Sequence, residues 1–170
     1  MGTAKQRQAN VLELITSQHD LVDELIAKLE KGNLDGAGKL AVFQQLADNL
    51  AAHAAMEEQL FYPAVREKQT EEILLESAEE HLAIKRVLTD MLALDVESDR
   101  FDAALSVLKE EVTHHAREEE EGELFPKVRK LFSGDELDAL AGECLALFEQ
   151  LMATEPRNQV PRQTSKPARI

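Results

Sequence analysis

Along four stretches of this chain apolar residues recur at alternating steps of three and four, and each run is broken near its middle by one histidine. The first seam reads Leu12, Ile15, His19, Val22, Ile26, Leu29 and the second Phe43, Leu46, Leu50, His53, Glu57, Leu60. The third reads Leu74, Ser77, His81, Ile84, Leu88, Met91 and the fourth Phe101, Leu105, Leu108, Val112, His115, Glu119. Steps of three and four put one face of an α-helix toward a core, so the pattern predicts four long amphipathic helices.

Turn signals at Lys31 to Gly36, around Gln69-Thr70, at Asp95 to Asp99 and at Ser133-Gly134-Asp135 bound these stretches. The expected helices span 5–31, 37–68, 71–94, 99–131 and 135–153. The class is all-α. Short connections between the first four dictate an up-down-up-down four-helix bundle, with a short fifth C-terminal helix on its flank. With 44% apolar residues, the 170 residues suffice for one core, and the bundle is expected to take residues 1–153. Residues 154–170 mix Pro156, Pro161 and Pro167 with Arg157, Arg162, Lys166 and Arg169, and read as a disordered basic tail.

A histidine or carboxylate on an apolar seam costs about 1–3 kcal/mol unless its polar atoms find partners. One common partner explains them better than separate accidents. Glu57 lies 11 residues before Lys68, and His81 lies 10 after Glu71. At ~1.5 Å per residue both sit roughly 15–17 Å from the turn between their helices. Similar counts bring His19 level with His53 and His81 level with His115. His53 with Glu57, and His115 with Glu119, are His-x-x-x-Glu pairs, which place imidazole and carboxylate on one helical face. Four imidazoles and two carboxylates are enough to hold two cations, so His19, His53, Glu57, His81, His115 and Glu119 form the expected metal set.

An internal duplication bears on the carboxylates. A shift of 62 maps His19 onto His81, His53 onto His115, Glu57 onto Glu119 and Glu58 onto Glu120. Beyond these, a one-residue slip brings Leu60-Phe61-Tyr62-Pro63 near Leu124-Phe125-Pro126, which leaves Glu119 and Glu120 both open as the fourth-helix carboxylate. Of the adjacent His114 and His115 only the latter falls on the seam and the repeat, so His114 is expected to face outward or to support the ligands from behind.

The formal net charge of −14 repels phosphate backbones and argues against nucleic acid as a partner. Cys144 is the only cysteine, which excludes an internal disulfide and suits a buried, inert thiol. The N-terminus carries no signal-like apolar run and no later segment is apolar enough for a membrane span, so a cytoplasmic protein without membrane contact is expected.

At these residues the chain resembles the hemerythrin-like, or HHE cation-binding, family. The matching segments are His19-Asp20, then His53-Ala-Ala-Met-Glu57-Glu58 leading to Phe61-Tyr62-Pro63, then Glu80-His81. A second half-motif follows, His114-His115-Ala-Arg-Glu118-Glu119-Glu120 leading to Leu124-Phe125-Pro126. The resemblance covers about residues 10 to 150. It implies a four-helix bundle with a non-haem di-iron centre, two iron ions with an oxo or hydroxo bridge, in which manganese or a mixed pair is the alternative. It also implies a small diatomic ligand or peroxide as partner (dioxygen, nitric oxide or peroxide), or a part in iron buffering under stress. The family's invertebrate oxygen carriers use five histidines, a glutamate and an aspartate. Here the third helix offers only His81, with Ser77 and Lys85 one turn to either side. The missing imidazole turns expectation away from reversible oxygen carriage and keeps a second reading alive, a di-iron enzyme with catalase-like or ferroxidase activity. Tyr62, Glu24, Glu58 and Glu80 are supplementary candidates.

Overall fold

The computed structural model describes residues 9–170, which contain helices and no strand. In chain order the helices are α1 (Val11–Glu30), α2 (Gly36–Met56), α3 (Tyr62–Ala64), α4 (Glu71–Leu92), α5 (Asp99–Thr113), α6 (Phe125–Leu131) and α7 (Gly134–Met152). A π-helical segment, Glu57–Phe61, joins α2 to α3 without a break, and a longer one, His114–Leu124, joins α5 to α6. Continuous helix therefore runs over 36–64 and 99–131, where 37–68 and 99–131 were expected.

Helix α1 begins later than expected. The Asn10 side chain accepts from the backbone N–H of Leu12 and Glu13, and the Glu13 carboxylate returns to the Asn10 N–H, a capping box that fixes the start at Val11. Residues 5–8 of the expected helix lie outside the described residues. Asp35 and Ser98 cap α2 and α5 by accepting a backbone N–H, Ser133 forms a second capping box with Glu136 at α7, and Gly32, at φ 67°, supplies the left-handed residue after α1.

Every residue of the four expected seams is buried except Leu60 and Glu119, and both of these fall in the π-helical segments. The core is divided in two. One apolar cluster gathers Ile26, Phe43, Leu88 and Phe101 with their neighbours, and the other gathers Ile15, Phe61, Leu74 and Phe125 with theirs. The four seam histidines lie between the two, so their layer is closed above and below by aliphatic and aromatic side chains. Helix α1 packs on α2, α4 on α5, and α7 on both α1 and α2. No described helix is long and apolar enough to cross a membrane. Cys144 is buried, and burial with the nearby Glu57 charge pushes its thiol up to about 12, which keeps it neutral and unreactive.

The expectation of a disordered tail is corrected. Pro156–Gln163 forms a 3₁₀ helix against α2 and α4. Val160 is buried in the first core cluster, and the Arg157 backbone N–H and guanidinium both donate to the Asp48 carboxylate. Composition was misleading because two buried side chains, Pro156 and Val160, and one partly buried ion pair are enough to seat a segment this short on a surface already built by the long helices.

Candidate metal centre

Four helical stretches each send one imidazole into the layer: His19 from α1, His53 from α2, His81 from α4 and His115 from the π-helical continuation of α5. All four are buried, as are Glu57 and Glu120, which are both fully excluded from solvent. Ligand atoms of His19, His53, Glu57 and Glu120 lie within 4.8 Å of one another, and so do those of Glu57, His81 and His115. Glu57 belongs to both groups.

Glu119 belongs to neither, and its place in the expected set goes to Glu120. The cause is the π-helical segment. An i to i+5 hydrogen-bond pattern needs an extra residue to return to the same face, so the residue one turn beyond His115 is Glu120 and not Glu119. Glu119 turns toward Glu80 and His114 at the half-exposed edge of the bundle, with His114 Nε2 3.3 Å from its carboxylate. His114 is half exposed and faces outward, as the seam predicted.

The orientation of the rings is set from outside the layer. His19 Nδ1 lies 2.7 Å from Glu121, His53 Nδ1 2.6 Å from the Gln18 side-chain oxygen, His81 Nδ1 3.0 Å from Glu58 and His115 Nδ1 2.7 Å from Glu80. An ionised carboxylate or an amide oxygen accepts only, so each contact assigns the proton to Nδ1 and leaves the Nε2 lone pair aimed inward. Such outward acceptors hold metal-binding imidazoles in the ligating tautomer and raise their basicity. Lys85 donates to both oxygens of Glu58 at 2.7 and 2.8 Å and holds it against His81, while Arg117 donates to Glu121 at 2.6 Å.

Inside the layer, acceptors face acceptors. His19 Nε2 is 3.2 Å from Glu120 Oε2 and His53 Nε2 is 3.3 Å from Glu57 Oε1. Of these atoms, His19 Nε2, Glu57 Oε1 and Glu120 Oε2 are buried without a hydrogen-bond partner. His81 Nε2 and His115 Nε2 approach to 2.9 Å, a contact that two neutral rings with outward Nδ1 protons cannot make without a proton or a cation between them. Buried polar atoms left in this state are costly, and a cation among them satisfies all at once. The residues therefore fit a metal site, on their donor chemistry and on their unpartnered atoms.

The titration of the layer reflects the same crowding. Burial, then the adjacent Glu120 charge, raises Glu57 well above the ordinary carboxylate range. Burial acts likewise on Glu120, but His115, His19 and His53 outweigh it and the net shift is downward. Burial and then His19 lower His53 well below its ordinary value, and burial and then His115 lower His81. His115 is raised, because Glu120 and Glu80 outweigh its burial. The Tyr62 hydroxyl stands in the middle, 2.8 Å from Glu120, 3.3 Å from Glu57 and His81, and 3.4 Å from His115.

Sequence reasoning missed Gln18, Lys85 and Glu121 as the groups that orient these rings. Glu120 was legible in one signal: Glu57 to Glu120 is 63 residues, and so is Pro63 to Pro126, whereas His53 to His115 is 62. The one-residue slip in the repeat falls between the histidine and the glutamate, where the π-helical segment absorbs it.

The chain belongs to the family described as hemerythrin HHE cation binding domain, whose model matches residues 10–128. It is a cation-binding domain of the hemerythrin type by family and carries the buried histidine and glutamate cluster suited to that role. Among individual proteins, it is 30% identical over 142 residues to a protein from Nostoc sp. described as a DNA nickase. That match covers 84% of this chain but only 40% of the Nostoc protein. Its fold is similar to the crystal structure of a hemerythrin HHE cation binding domain-containing protein from Mycobacterium kansasii. The TM-score is 0.77 at 20% identity, over 92% of this chain and 94% of that one.

Proposed function

We propose that the chain holds two iron ions through His19, His53, Glu57, His81, His115 and Glu120, with Glu57 shared between them, and that it binds dioxygen, nitric oxide or peroxide there. The observation that carries this reading is the uniform polarity of the four rings. Each Nδ1 meets an outward acceptor, and the inward face collects lone pairs and unpartnered carboxylate oxygens. In this reading the four long helical stretches run up-down-up-down as a four-helix bundle, with α7 as the flanking fifth helix, in a cytoplasmic protein.

Iron bound in the layer supplies Lewis acidity, one-electron redox chemistry and open coordination positions for a small ligand. The protein's own contribution is orientation and exclusion of water. Gln18, Glu58, Glu80 and Glu121 fix the rings, and the two apolar clusters close the layer. Nucleic acid is no partner in this reading, because a net charge of −14 opposes it.

A second reading, turnover of peroxide, is favoured by Tyr62, whose hydroxyl donates to Glu120 and reaches both halves of the layer, so that a proton donor stands inside the site. Metal analysis of protein purified from iron-supplied cells tests the first reading, with about two iron ions per chain expected. Reconstituted protein that retains no metal contradicts it. Peroxide decomposition by the iron-loaded protein that is lost in Tyr62→Phe at unchanged iron content would favour the second.

A further inference from the structure

An apolar cavity of about 30 Å³ opens beside the histidine layer. All four layer histidines line it, and most of the remaining wall is aliphatic. Every part of that wall comes from the long helical stretches except one side chain, Val160, which belongs to the C-terminal 3₁₀ helix. The surface the wall turns to the cavity is almost wholly apolar and Lys85 is paired with Glu58, so a water there finds few partners. A cavity of this kind stays dry and takes an apolar guest.

The segment that carries Val160 is short and buries few of its own side chains. The chain leaves α7 through Glu155 at φ 50°, the left-handed region that a glutamate adopts at a cost. Pro161, inside the stretch that follows, keeps it from forming a regular α-helix. Within Pro156–Gln163 only Pro156 and Val160 are buried. The segment is fastened across α2 and α4 by Arg157 on Asp48, with Arg86 Nε donating to the Thr164 carbonyl at 3.1 Å just beyond it. A segment with so few buried contacts opens at a smaller cost than the helices it crosses.

We propose that the C-terminal segment 156–163 gates this cavity, with Val160 as the side chain that sets what enters, and that the cavity delivers one small uncharged gas molecule, of the size of dioxygen or nitric oxide, to the metal layer. The delivery step rests on the metal-binding reading above. The cavity and its gate are properties of the chain alone, so the two ideas fail separately.

Krypton-pressurised crystals of the protein as purified test the cavity independently of iron. One krypton atom is expected beside Val160 in the wild type, with higher occupancy in Val160→Ala and none in Val160→Trp. Absence of krypton from the wild-type cavity overturns the proposal, whatever the iron content. Stopped-flow mixing of nitric oxide with the iron-loaded, reduced protein tests the gate. Association is expected to be at least tenfold slower in Val160→Trp and at least tenfold faster in Asp48→Ala, which releases Arg157, with iron content unchanged in both. Should Val160→Trp fail to fold, Val160→Leu is expected to slow association to a smaller extent, and the Asp48→Ala rate still decides. Rates equal to wild type in the folded variants overturn the gate.

Discussion

His53 and Glu57 stand four residues apart and His115 and Glu120 stand five, yet both pairs bring an imidazole nitrogen and a carboxylate oxygen to one layer. The first pair sits at the end of α2, where the helix is still regular, and the π-helical segment begins only at Glu57. The second sits inside a π-helical segment that begins at His114. The two halves of a duplicated motif thus reach the same geometry through different local structure. The position of the widened turns, more than the spacing in the sequence, decides which glutamate faces inward.

The largest effect expected from this comparison separates neighbours. Glu120→Ala should lower bound metal from about two ions per chain to one or none, whereas Glu119→Ala should leave it near the wild-type value. His115→Ala and His114→Ala should divide in the same sense, the first losing most of the metal and the second little. Metal analysis of the four purified variants reads both contrasts, and equal losses within either pair would show the register to be wrong.

A smaller loss is expected one shell further out. Glu80→Gln leaves His115 in place but removes the charge that accepts its Nδ1 proton, which should weaken metal binding by ~10–100-fold in a competition titration with a chelator. An unchanged affinity would mean that the ring is oriented by packing alone.

Deleting Glu118 sharpens the comparison itself. Its side chain is 70% exposed, and its removal takes the extra residue out from between His115 and Glu120. The second pair then has the spacing of the first, so metal content should stay near wild type. Loss of both metals would show that the widened turns do more than absorb one residue.

The mildest test is a titration of the metal-free protein by NMR. His114 should titrate above 6.5, chiefly because Glu118 accepts its proton, with Glu80 and Glu119 adding to the effect. His53 should stay neutral well below 6.5, because burial and then His19 oppose its charge. Protonation of His114 is thus lost only as the pH rises past its raised value, while that of His53 is gained only as the pH falls below the ordinary imidazole range. A shared midpoint for the two rings would contradict the inward and outward assignment.

Much of this was legible in the sequence, and the parts that were not have identifiable causes. The seams located the helices and the four histidines because a period near 3.6 holds through α1, α2, α4 and α5. The same period failed at Leu60 and Glu119, where the backbone leaves the α-helix and a fixed step no longer tracks one face. Gln18 and Lys85 escaped notice because their roles depend on contacts to His53 and, through Glu58, to His81, across 35 and 27 residues of chain. The order of the C-terminal segment was hidden for a similar reason, since Arg157 meets Asp48 only after the helices have packed.

The central claim is that two metal ions lie in the layer defined by His19, His53, Glu57, His81, His115 and Glu120. Anomalous diffraction at the iron edge from crystals of the iron-loaded protein tests it most directly. The expected map has two peaks between the four inward Nε2 atoms, with the Glu57 carboxylate touching both. A single peak in the layer, or peaks confined to the outer group of Glu80, His114 and Glu119, would contradict it.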